Sequence, residues 1–120
     1  MRLFPALLAM SLLVGSCSYA VPDIATVPPN PTFNNDILPL FMDHCLVCHG
    51  FPSNRGAPTY FRLDVYLPQN GVTGAKGMGG SAVADVATIK KMPPAVKDGD
   101  GVGPNGIQML LNWQTNQFPE

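Results

Sequence analysis

Charge is scarce in this chain. Of its 120 residues only 7 are Lys or Arg and 8 are Asp or Glu, for a formal net charge of −1. Such a balance lacks the basic surplus that neutralises nucleic-acid phosphates, and it provides no strongly basic face for an anionic membrane. Metal-ligating residues are few as well, with 3 Cys and 2 His. A closed zinc site needs four ligands. Outside one short segment only Cys17 and His44 remain, and neither is well placed to complete such a site. Long apolar runs are also missing. Leu3 to Val14 is broken only by Pro5 and Ser11, yet it falls short of the about 20 apolar residues that span a bilayer. Acid–base residues are nowhere concentrated, so no hydrolytic constellation is visible. The glycine-rich stretch Gly71–Gly80 lacks the spacing and helix context of a phosphate-binding loop and reads as flexible loop.

What is present is Cys45-Leu46-Val47-Cys48-His49, a C-x-x-C-H pentapeptide. Two residues between the cysteines bring both sulfurs to one edge of a porphyrin, where they add to its vinyl groups. The histidine that follows then lies under the iron and offers it an imidazole nitrogen. A thioredoxin-like dithiol has the same cysteine spacing but belongs in a strand–helix–strand setting, which this sequence does not have. The motif therefore predicts one covalently attached haem c, with Cys45 and Cys48 as the thioether residues and His49 as the proximal iron ligand.

The N-terminus predicts export. Met1-Arg2 is a short positive start, and the apolar run after it has the length of a secretory h-region. Val14-Gly15-Ser16-Cys17 then resembles the lipobox of bacterial lipoproteins, in which the cysteine is acylated and becomes the new N-terminus. That reading also accounts for the third, otherwise unpaired cysteine. The alternative is an ordinary signal cut near Ala20 with Cys17 discarded. The expected organisation is a signal peptide over 1–16, a lipid-anchored Pro-rich tether over 17–32 and one haem domain over 33–120. In the tether, Pro22, Pro28, Pro29 and Pro31 favour extended backbone with little to bury.

The domain itself is expected to be all-α with long loops, since 12 Gly and 13 Pro leave room for few regular elements. Asn34 or Asn35 can cap a first helix with Asp36 in its first turn, and Pro39 lies close enough to the start to be tolerated. Ile37, Leu40 and Phe41 share one face, and Gly50 stops the helix after the motif. Ser81 can cap a short helix through Lys91, and Lys97 to Pro104 reads as a polar turn. A last helix runs from about Asn105 to Asn116 with Ile107, Leu110, Leu111 and Trp113 as its buried stripe. So small a core gains from a porphyrin to pack on, and the chain without haem is expected to fold poorly.

Together, Asp36-Ile37-Leu38-Pro39-Leu40, the C-x-x-C-H motif, Arg62-Leu63-Asp64, Met92-Pro93-Pro94 and Trp113 resemble a class I cytochrome c. The pattern is similar to small exported bacterial haem domains and covers roughly residues 33 to 118. The resemblance implies N- and C-terminal helices packed together around the haem, and a methionine from a later loop at the sixth iron position. One departure is the end of the chain, where the family's tryptophan followed by a Gly-Ala-Pro-like phrase is replaced by Trp113-Gln114-Thr115-Asn116-Gln117-Phe118-Pro119.

Met92 matches the distal ligand of that pattern. It lies far enough downstream of His49 for the chain to pass round the haem, and Pro93 and Pro94 stiffen its loop. Met78, in a looser glycine-rich loop, is the competitor, while Met42 and Met109 sit on predicted helices as packing residues. His44 precedes Cys45 on the attachment side and is expected at a helix end or surface. Arg62 has two candidate partners, a haem propionate and Asp64. Lys90 and Lys91 read as a solvated pair, or as steering charges for an acidic partner. Two functions follow. The first is an electron carrier on the periplasmic side, working with redox partner proteins of the cell envelope as a free shuttle or as a subunit. The second is a haem enzyme or gas sensor with an open sixth position.

Overall fold

A computed structural model of the chain describes residues 21–89, 91–93 and 101–120. The 1–16 leader, Cys17, the start of the tether, Lys90, Pro94 and the 97–100 part of the polar turn lie outside the described residues. The fold is all-α. A widened, π-type turn at Phe33–Ile37 runs into α1 (Leu38–His44) and α2 (Leu46–His49). Next come α3 (Gly74–Val83), a second widened turn at Ala84–Thr88, and α4 (Pro104–Thr115). No strand forms among the described residues, and Gln69 and Val72 make an isolated antiparallel bridge.

The first helix starts slightly earlier than the sequence predicts, with Thr32 at its cap. The Asp36 carboxylate accepts the Thr32 backbone N–H at 2.9 Å, and the Asn35 amide donates to the Thr32 hydroxyl at 3.1 Å. The widened turn falls just ahead of Pro39, whose ring would crowd the carbonyl four residues back in a regular helix. Ile37, Leu40 and Phe41 are all buried, so this face seats the helix that carries the cysteine pair.

Trp113 on α4 is the centre of the core and is fully buried. Phe33 lies 6.3 Å from it, Phe41 meets it edge-on at 6.1 Å, and Phe118 does so at 4.9 Å. The first and last helical segments therefore pack together through one indole. On α4 the buried residues are Gly106, Met109, Leu110 and Trp113, while Ile107 and Leu111 are only partly covered. The unusual C-terminal phrase is tied down. The Pro119 carbonyl accepts both the Trp113 indole N–H and the Phe33 backbone N–H at 2.9 Å, and the Tyr66 hydroxyl donates to the Phe118 carbonyl at 2.7 Å.

Two segments differ from the sequence expectation. The glycine-rich stretch read as flexible loop is largely helix α3, and Ser81 lies inside it rather than at a cap. Glycine disfavours a helix by propensity, but here close packing wins. A Cβ on Gly79 would come 2.7 Å from the Phe118 ring and 3.2 Å from Trp113, so its bare backbone lets α3 reach the aromatic core. Buried Ala75, Ala82 and Val83 complete that contact.

The tether also has more to bury than its proline content implies. Pro31 is fully buried, and residues 23–31 lie along α4. Asn105, Asn112 and Asn116 donate their side-chain amides to the carbonyls of Ile24, Pro28 and Pro29 at 2.8, 3.0 and 3.2 Å. The Asp23 carboxylate accepts the backbone N–H groups of Asn105 and Gly106 at 2.9 and 3.0 Å and so caps α4 from across the sequence. Gly103 permits this approach, because a Cβ there would collide with the Asp23 side chain. Desolvation alone would raise the Asp23 pKa. The N–H donors of Asn105, Gly106 and Ile24, with His44 nearby, outweigh it and hold the carboxylate below its ordinary value.

Candidate functional site

Cys45 caps the short helix α2, which carries Cys48 and His49, so the three lie within little more than one turn. The backbone N–H groups of Cys48 and His49 both reach back to the Cys45 carbonyl, at 3.1 and 2.9 Å. A strap of chain, Phe61 to Leu63, then holds His49 from two sides. Leu63 donates its N–H to the His49 carbonyl at 2.8 Å, and the imidazole Nδ1 lies 3.1 Å from the Phe61 carbonyl. A carbonyl only accepts, so Nδ1 carries the proton and Nε2 keeps its lone pair for a metal. The Phe61 ring, 4.8 Å from the imidazole, limits its rotation.

These residues border two adjacent hollows, an outer and an inner part of one site. The outer part, about 440 Å³, is lined by Cys45, Cys48, His49, Arg55, Pro58 and Met92 among others. The inner part, about 190 Å³, runs back to Phe41, Leu63 and Val86 on the core. Cys45, His49, Pro58 and Met92 border both. The site residues expected from the sequence within the described chain thus share one cavity, and the wall between them is chiefly apolar. Its size is in the range that holds a cofactor rather than a bare ion. Among the described residues no group of three His, Cys, Asp or Glu side chains converges as a metal-ion site. Cys45 and Cys48 are both free thiols. Burial, with Cys48 beside it, pushes the Cys45 thiol up to about 12, so it is neutral.

The other candidates separate cleanly. Met78 packs partly buried against the core and borders neither part of the hollow. Met109 is buried and Met42 is exposed. Arg62 forms a two-point ion pair with Asp64 and stacks over the Phe51 ring at 4.8 Å, which leaves it committed locally. That pairing holds the Asp64 carboxyl below its ordinary range.

Three further residues lie on the wall. Arg55, with a left-handed φ of 53°, borders the outer part. His44 does so as well, half-buried at the C-terminal end of α1, the helix-end position expected from the sequence. Burial lowers its pKa below the usual histidine value, against the opposing pull of Asp43 and Asp23. Asp85 borders the inner part and pairs with Lys91 at 3.2 Å. His44 is there because it adjoins Cys45, whereas Arg55 and Asp85, a turn residue and an isolated charge, have no periodicity to mark them. No family model, curated protein or solved structure matches this chain.

Proposed function

We propose that the chain is a monohaem c-type cytochrome of the class I kind, an electron carrier of the cell envelope. The observation that carries the reading is that Cys45, Cys48, His49 and Met92 border one apolar hollow while His49 directs its bare Nε2 away from the Phe61 carbonyl. Cys45 and Cys48 are the thioether residues, and as thioethers they bring no charge into a buried place. His49, oriented by Phe61, and Met92 would be the residues that offer the iron a nitrogen and a sulfur. A haem bound there supplies an iron that alternates between the ferrous and ferric states. The chain's part would be to hold the His49 and Met92 side chains in place and to keep water out with Phe41, Leu63 and Val86. A soft sulfur ligand favours the ferrous state and raises the potential.

Haem attachment of this kind takes place outside the cytoplasm, in keeping with the Leu3–Val14 run and the lipobox-like Val14–Cys17. The carrier is accordingly lipid-anchored through Cys17 on the periplasmic side and exchanges electrons with other envelope proteins. The decisive measurements are an optical spectrum of the purified, native, oxidised protein and an acidified-acetone extraction of a separate sample. Pigment that stays with the protein and a weak long-wavelength iron–sulfur band support the reading, and colourless protein overturns it.

A second reading has one observation in its favour. Arg55 borders the outer hollow, and an arginine beside an open iron position is what peroxidase-like chemistry or gas sensing would use. Avid carbon monoxide binding by the unmodified protein would favour it over the carrier.

A further inference from the structure

The Ala84–Thr88 turn has a consequence for Met92. In a regular helix the Ile89 N–H would bond to the carbonyl four residues back, at Asp85. Here it reaches one residue further, to Ala84 at 2.8 Å. The Asp85 carbonyl in turn accepts the N–H groups of Lys91 at 2.9 Å and Met92 at 3.3 Å. The side chain of the same residue acts on the same loop. The Asp85 carboxylate, largely shielded and on the wall of the inner hollow, pairs with the Lys91 ammonium at 3.2 Å. One residue thus grips the chain at and just before Met92, by backbone and by charge, from a turn of a kind frequent at functional sites.

We infer that Asp85 is the positioning residue for the sixth iron ligand: with Lys91 it forms a latch that holds Met92 at the cavity. The inference rests on the haem reading with Met92 as distal ligand. The latch keeps a flexible thioether near its iron through redox change, so Met92 need not be re-ordered at each electron transfer. On this reading Asp85 acts on Met92 through the loop that it holds.

The test uses the full haem-loaded protein and external imidazole as the competing ligand, with Asp85→Asn, Lys91→Gln and the double variant. Lys91 is more than half exposed, so Lys91→Gln leaves the fold intact and the ion pair has the modest strength of a surface pair. Each single variant should bind imidazole about three- to fivefold more tightly than the unmodified protein. Each should also lose the iron–sulfur band at a lower temperature, with global unfolding unchanged, and the double variant should be no worse than either single one. A merely structural pair would shift unfolding and band together, and that result overturns the latch. Imidazole affinity and band stability equal to the unmodified protein in both single variants also overturn it. If the unmodified protein shows covalent haem but no iron–sulfur band, the ligation by Met92 itself fails, and the latch falls with it for that separate, visible reason.

Discussion

His49 gives its Nδ1 proton to the carbonyl of Phe61 at 3.1 Å, while the Phe61 ring lies 4.8 Å from the imidazole. One residue therefore sets both the tautomer and the tilt of the proposed proximal ligand, the first through its backbone and the second through its side chain. Phe61→Ala separates the two. The carbonyl remains, so Nε2 still faces the iron, but the ring contact is lost from a half-buried position. The expected result is intact covalent haem, a loss of about 1–2 kcal/mol in stability by denaturant titration, and a broadened ferric electron paramagnetic resonance signal from a less confined imidazole. An unchanged, sharp signal would remove the ring from this role.

Met92 borders both parts of the hollow, whereas Met78 packs against the core. Met92→Ala should therefore open the iron to carbon monoxide and abolish the iron–sulfur band, with the haem still attached. Its potential should fall, by about 59 mV for each tenfold preference of the lost sulfur for ferrous over ferric iron. Met78→Ala should change stability only. Redox titration with carbon monoxide binding on both variants decides the assignment.

The Asp23 cap on α4 gives a pH dependence with a defined sign. Its folded pKa lies below the ordinary 3.8, so its contribution is full above that value and is lost as pH falls through the lower folded pKa. Asp23→Ala should lower the unfolding midpoint by a few degrees at neutral pH, equivalent to about 0.5–1 kcal/mol for a lost helix cap at an exposed site. The difference from the unmodified protein should close on acidification below that window. Asp23→Asn keeps the acceptor and should retain most of the neutral-pH stability. Thermal melts across pH for the three proteins give the comparison.

Acylation at Cys17 predicts a clean change of compartment. Each buried methylene of a lipid chain contributes about 0.8 kcal/mol to membrane binding, so Cys17→Ser should move the mature protein from the membrane fraction to the soluble periplasm. Because residues 23–31 lie along α4, only the short run from Cys17 to Asp23 is left to act as a leash, at most about 20 Å of extended chain. A spacer inserted before Asp23 should leave fractionation unchanged while altering the rate of electron exchange with a membrane partner. Unchanged fractionation of Cys17→Ser would count against the anchor.

The parts of the molecule visible in the sequence are those with local chemistry or period. Cys45, Cys48 and His49 define their own geometry within one turn, and the apolar spacing of Ile37, Leu40 and Phe41 predicts their burial. The bounds of α4 lie within a residue of those its pattern predicts. What stays invisible depends on contacts far apart in the chain. The glycines of α3 read as loop because their value lies in the absence of a side chain beside Phe118 and Trp113, which no local pattern records. Asp23 reads as a tether residue because its partners, Asn105 and Gly106, lie at the other end of the sequence. Asp85 reads as one carboxylate among several until the fold gives its carbonyl to the loop before Met92.

Gly79 tests how tightly α3 is bound to the aromatic core. It is buried, and an added methyl would meet the Phe118 ring at 2.7 Å and the Trp113 indole at 3.2 Å. By helix propensity alone, alanine would stabilise α3 by roughly 1 kcal/mol over glycine. Overpacking acts the other way, at about 1–3 kcal/mol. The two rings are rigid and already engaged. Trp113 donates its N–H to the Pro119 carbonyl, and the Phe118 carbonyl accepts the Tyr66 hydroxyl, so neither can yield without breaking a hydrogen bond. The overpacking term should therefore win, and Gly79→Ala should destabilise the protein by denaturant titration. Gly80→Ala, where a Cβ meets nothing within 4 Å, should be neutral or stabilising. The pair isolates packing from propensity within adjacent residues of one helix, and a stabilised Gly79→Ala would mean that α3 stands off from Trp113 and Phe118 in solution.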